Sequence, residues 1–173
     1  HRSPFPDVDI PTMTLPDYVF AQVSSRPDKV ALIDGPTGRK ITYGELLTSA
    51  LKTATGLISR GFRKGDVFAI YSPNIPEYAT VFFGVALAGG INTTVNPTYT
   101  ARELSGQLKD SRAKFLVTIP QFLDTALEAC VDTDIQEVFV FGNHEGATSF
   151  HELMADGSPP KVSIDPKEDL VVL

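Results

Sequence analysis

From Asp66 onward the chain alternates short apolar runs with stretches of helical spacing, and this alternation constrains the fold more than any other feature. Residues 67–71, 91–95, 114–118 and 138–141 read as strands, while 76–89, 100–111 and 121–131 read as helices between them. A short helix is expected over 149–155. Strands separated by helices pair in parallel, because each return to the start of the sheet needs a crossover. Residues 115–117 and 138–141 are almost unbroken in apolar character, as strands covered on both faces must be. The expected class is α/β: an open, mainly parallel sheet flanked by helices, with an N-terminal helix and β-hairpin, forming a truncated part of a larger domain.

The leading segment has its own signals. Thr14 caps a helix with Asp17 three residues on, and Arg26-Pro27 stops it. Residues 29–33 and 39–42 flank the Gly/Pro-rich turn 34–38, which predicts a hairpin. Thr42-Tyr-Gly-Glu45 is a capping box, followed by Leu46, Leu47, Ala50, Leu51, Ala54, Leu57 and Ile58 at helical spacing until Gly61. Thr100 and Glu103 form a second box. The expected division is 1–28 as arm and first helix, 29–42 as hairpin, and 43–173 as the α/β subdomain. Asp156-Gly-Ser-Pro-Pro160 is the one linker-like stretch. Residues 170–173 are expected to form a strand that stops at full hydrophobicity, so the chain reads as cut, with self-association expected through the truncated edge.

Composition removes several classes of function. At 173 residues a domain buries enough surface to need no metal or disulfide staple. Fifteen Lys and Arg against 21 Asp and Glu, with no basic block, speak against nucleic acid or anionic lipid as a partner. Cys130 is the only cysteine, which excludes an intramolecular disulfide and points to the cytoplasm. The uncharged stretch 78–101 is broken by Asn92, Thr93, Thr94, Asn96 and Pro97, too early for a membrane span.

In a doubly wound sheet the chemistry gathers beyond the carboxyl ends of the strands, here after Tyr71, Val95, Thr118 and Phe141. No dinucleotide fingerprint, Walker loop or hydrolase elbow occurs there. Gly84 and Gly89 have Walker spacing, but Gly90 stands where the Lys belongs, so the pair reads as helix packing and a helix end. His1, His144 and His151 lack partners at metal-ligand spacing and read as exposed. Cys130 reads as a small core residue, Glu45 and Glu103 as capping partners, and Phe82, Phe83, Phe139 and Phe141 as core. The best-placed candidate is the loop Ser72-Pro-Asn-Ile-Pro-Glu-Tyr78, which joins a buried strand to a helix N-terminus whose free amides favour an anion. Its prolines also serve to turn the chain and start the helix.

Four segments in order carry a family resemblance: Ile41-Thr-Tyr-Gly-Glu-Leu46, Ser72-Pro-Asn-Ile-Pro-Glu-Tyr78, Leu87-Ala-Gly-Gly-Ile-Asn-Thr-Thr-Val-Asn-Pro97 and Tyr99-Thr-Ala-Arg-Glu-Leu104. Over residues 14–173 the chain resembles the N-terminal portion of acyl-adenylate-forming (AMP-binding) enzymes, with most similarity to the 4-coumarate:CoA ligase and long-chain acyl-CoA ligase branch. The resemblance implies an ATP-dependent carboxylate–CoA ligase that uses Mg²⁺, forms an acyl-adenylate with release of pyrophosphate, and passes the acyl group to CoA. ATP, Mg and CoA would then serve the parent protein, with none expected to bind this piece tightly. The family's phosphate loop, its later acidic and aromatic motifs and its lid Lys do not occur here, and residues 170–173 resemble the strand before that loop. No catalytic, cofactor-binding or metal residue is therefore carried over, and the isolated piece is expected to be an inactive scaffold. Two alternatives stand beside this one. The first is an adenylate former with another acceptor, luciferase-like or an acyl-AMP ligase; the second is a free-standing α/β nucleotide-binding or interaction module.

Overall fold

The computed structural model describes residues 4–157, 159 and 161–173. Ser158 and Pro160 of the linker-like stretch, and His1, lie outside them. Helix α1 covers Leu15–Phe20, with the Thr14 hydroxyl accepting from the Asp17 amide, and a 3-10 turn at Val23–Ser25 follows. Strands β1 (Val30–Ile33) and β2 (Lys40–Thr42) pair antiparallel as the expected hairpin. Helix α2 (Tyr43–Ser59) begins at the Thr42–Glu45 capping box, in which both reciprocal bonds are made.

Beyond α2 the elements alternate as β3 (Val67–Tyr71), α3 (Pro76–Leu87), β4 (Ile91–Thr94), α4 (Ala101–Ser111), β5 (Ala113–Thr118), α5 (Leu123–Ala129), β6 (Glu137–Val140), β7 (Thr148–Ser149) and α6 (Phe150–Leu153). A 3-10 turn at Pro120–Phe122 takes up what reads in the sequence as the first turn of α5. The strands β4-β3-β5-β6-β7 form one sheet in that order, and every pairing is parallel. The sequence does not announce β7, a two-residue strand. It joins the carboxyl half of β6 (Phe139↔Thr148, Val140↔Ser149), so the short loop 141–147 need not travel back along the whole strand as a helical crossover does.

The two faces of the sheet bury separate cores. On one, Phe68, Ile70, Phe115, Val117 and Phe139 meet α2, α3 and α6. Phe62 stacks on Phe115 at 5.7 Å between centroids and Phe68 on Phe139 at 6.2 Å. On the other, Val67, Ala69, Tyr71 and Leu116 meet Leu104 and Leu108 of α4 and Ala126 and Ala129 of α5. Each fully buried Leu or Phe contributes about 1.5–3 kcal/mol by leaving water. Helices α2 and α3 cross closely at Gly84, where a Cβ would sit 2.6 Å from the Thr53 side chain. That accounts for Gly84 by packing, and Gly89, at φ 73°, ends the same helix. The expected strand over 170–173 is reduced to one parallel bridge, Asn92↔Val172, on the outer side of β4.

Candidate functional site at the sheet's switch point

The strand order means that the chain steps one way from β3 to β4 and then back past β3 to β5. The loop after β3 enters α3 on one face, and the loop after β5 leads to α5 on the other. Adjacent loops that diverge in this way open a crevice at the carboxyl ends of the strands, the usual ligand position in open α/β sheets. A cleft of about 450 Å³ lies there. Its apolar walls include Ile75, Ile119, Phe141 and Phe150, and its polar groups are Arg39, Ser49, Glu77, Thr80, Gln121 and His151.

These side chains come from separate segments: Arg39 from the hairpin, Ser49 from α2, Glu77 and Thr80 from α3, Gln121 from the turn after β5, and His151 from α6. Arg39 forms an ion pair with Glu77. Glu77 sits in the first turn of α3, where the helix dipole favours a carboxylate, and Arg39 neutralises it. The α3 N-terminus thus already carries an internal anion. The sequence candidate Ser72 is buried, and its hydroxyl donates to the Pro73 carbonyl at 3.0 Å. Tyr78 is turned toward Thr94; burial pushes its phenol up, and a hydrogen bond with Thr94 opposes that.

The other loops at this edge are held by local bonds. Asn96 Oδ1 accepts from the Thr98 amide at 3.1 Å and its hydroxyl at 2.9 Å, which tightens the turn out of β4. The second capping box, Thr100–Glu103, opens α4. Tyr71, whose phenol is pushed up by burial, donates to the Tyr99 carbonyl at 2.8 Å and fastens that loop to β3.

Of the other residues weighed from sequence, Glu45 and Glu103 act as capping partners, and the Thr42 and Thr100 backbone amides hold their carboxyls below the usual range. Burial pushes the Cys130 thiol up to about 11, which leaves almost no thiolate near neutrality. His144 is exposed, with Nδ1 2.7 Å from the Glu145 carbonyl. His151 is also exposed but stands at the cleft rim, so the structure joins it to Arg39, Glu77 and Gln121. No spacing in the sequence links those four, because the crossovers of the sheet bring them together. The described residues include no group of three His, Cys, Asp or Glu side chains placed to hold a metal ion.

The family model for the AMP-binding enzymes matches residues 19–173. The chain belongs to the AMP-binding enzyme family. This AMP-binding chain is 37% identical over 189 aligned residues to 4-coumarate–CoA ligase 4 of Arabidopsis thaliana, covering 99% of the chain and 33% of the relative. It is 44% identical over 124 residues to 4-coumarate–CoA ligase 3 of the same plant, covering 71% and 22%. Among solved structures it superposes on a long-chain-fatty-acid–CoA ligase of Archaeoglobus fulgidus with a TM-score of 0.88 and 25% identity, covering 99% of the chain and 36% of that one. The AMP-binding chain therefore spans about a third of the length of such relatives. All four segments that carry the resemblance have structural work here: a strand end with a capping box, the β3–α3 turn, the α3 end with β4, and a second capping box.

Proposed function

We propose that this chain is the N-terminal portion of an ATP-dependent carboxylate–CoA ligase, in which it forms a scaffold and part of one wall of the active site. The observation that carries this is similarity to 4-coumarate–CoA ligases over nearly the whole chain, at 34–37% identity in several plant relatives. The complete ligase would join a carboxylic acid to the α-phosphate of ATP with loss of pyrophosphate, then transfer the acyl group to the CoA thiol with loss of AMP. ATP, Mg²⁺ and CoA are its proposed co-reactants. We place it in the cytoplasm, where a lone cysteine such as Cys130 stays reduced. Among the described residues no helix is long and apolar enough to cross a membrane.

The test is acid-dependent release of pyrophosphate and CoA-dependent release of AMP by the complete protein, with 4-coumarate and a long-chain fatty acid as the first acids. Pyrophosphate release without a CoA requirement would favour another acceptor, as in luciferase-like enzymes or acyl-AMP ligases. Tight ATP binding by the 173-residue chain alone would favour a self-sufficient nucleotide-binding module.

A further inference from the structure

Asn92 is a polar residue with no accessible surface, in the middle of an edge strand whose neighbours are apolar cores. An unpaired buried polar group is costly, and only the amide half of this carboxamide is paired, its Oδ1 having no partner among the described residues. Its Nδ2 donates in two directions, to the Phe82 carbonyl of α3 at 3.2 Å and to the Val171 carbonyl at 3.1 Å. Its main chain bonds the same segment twice more, with its amide donating to Val171 at 2.9 Å and its carbonyl accepting from the Leu173 amide at 2.9 Å. Three of the bonds that hold residues 170–173 to the sheet therefore converge on one residue. Asn92 is also the one β4 residue that bridges this segment, opposite Val172.

We infer that Asn92 is a positioning residue, a register clamp whose side-chain amide ties helix α3, strand β4 and residues 170–173 together and fixes that segment as the next parallel position of the sheet. A backbone pair alone specifies register weakly, because a slip by two residues repeats the same ladder and the same facing. The side-chain amide breaks that degeneracy. It is anchored to α3 and reaches only the carbonyl opposite its own backbone. The ion pair Lys64–Asp169, at 2.6 Å, holds the segment's entry but does not choose the register of the residues after it. Because the bridge is parallel, the segment runs toward the same carboxyl edge as the loops after β3 and β5. The clamp thus decides which of its residues approach that edge. The hydrogen bonds alone carry the clamp; that the edge it serves is a ligase active-site wall rests on the proposed function.

Hydrogen exchange of the complete protein, followed at labelled residues by NMR, tests it. In the unaltered chain the two Asn92 side-chain amide protons and the Leu173 amide should exchange at least tenfold more slowly than exposed counterparts. Asn92→Leu keeps the volume and removes the donors. It should abolish protection at Leu173 while Ile70 and Val117 stay as protected as before. Lys64→Met should leave Leu173 protection within about threefold. Protection retained at Leu173 in Asn92→Leu would overturn the clamp and reduce Asn92 to a space-filling role. Should that variant fail to fold, rapid exchange of the Asn92 side-chain protons in the unaltered chain would overturn it equally, and slow exchange would support it. These outcomes do not depend on any ligase assay, so failure of the clamp and failure of the functional reading are separate results.

Discussion

The approach of α2 to α6 at Gly56 leaves no room for a side chain. A Cβ built at Gly56 would lie 1.5 Å from the Leu153 carbonyl oxygen and 2.7 Å from its carbon. A normal separation is about 3.5 Å, so Gly56→Ala requires the Leu153 carbonyl to retreat by about 2 Å. That shift pulls on Phe150 and Leu153, both in the aromatic core, and on the bond from the Ala155 amide to the Lys52 carbonyl at 3.1 Å. Helix propensity alone would make the substitution stabilising by about 1 kcal/mol. Overpacking of a close-packed contact costs about 1–3 kcal/mol or more, and a backbone clash stands at the upper end. The net expectation is destabilisation by about 2 kcal/mol or more, read as a lower urea midpoint at unchanged slope. Gly106→Ala is the internal control. Gly106 lies within α4, and its Cβ would meet nothing within 4 Å, so the same exchange there should stabilise by about 0.5–1 kcal/mol. Equal stabilisation at both sites would refute the close approach of α2 and α6.

Three further outcomes follow from the same contacts. Thr42→Ala removes the acceptor for the Glu45 amide and should cost about 0.5–2 kcal/mol in urea unfolding, and an unchanged midpoint would show that the box contributes nothing. Cys130, with its thiol pushed up to about 11, should react with iodoacetamide at pH 8 far more slowly than free cysteine, and an equal rate would show that the thiol is not buried as described. The Lys64 side chain, and then the Asp165 amide, hold the Asp169 carboxyl below its ordinary value of 3.8. With the folded value depressed, the stabilisation is present above the ordinary value and is lost as pH falls through the lower one. An NMR titration of Asp169 should therefore have its midpoint below 3.8, and a midpoint at or above it would contradict the Lys64 contact.

The layered part of the fold was legible because its signals are local. Thr42 with Glu45 and Thr100 with Glu103 mark two helix starts to the residue, and runs such as 115–117 leave little choice but a strand covered on both faces. Strand order was not legible, since nothing in residues 67–71 tells which neighbours β3 will take. The place of the switch-point cleft, after Tyr71, Thr118 and Phe141, was legible, but the side chains that meet in it were not. Arg39, Glu77, Gln121 and His151 come together only through the crossovers, and each alone resembles an ordinary surface residue. In the loop 72–78, the best-placed candidate, the Ser72 hydroxyl is committed to the Pro73 carbonyl. The 170–173 segment read as a strand from its apolar run, and the structure gives it one bridge, at Asn92.

The ligase reading is tested most directly by the complete protein incubated with ATP, Mg²⁺, CoA and a panel of carboxylic acids that includes 4-coumarate and long-chain fatty acids. At least one acid should yield acyl-CoA, AMP and pyrophosphate in equal amounts, with no AMP accumulating above enzyme concentration when CoA is left out. Steady AMP release without CoA, or no acid-dependent pyrophosphate with any acid of the panel, would contradict it.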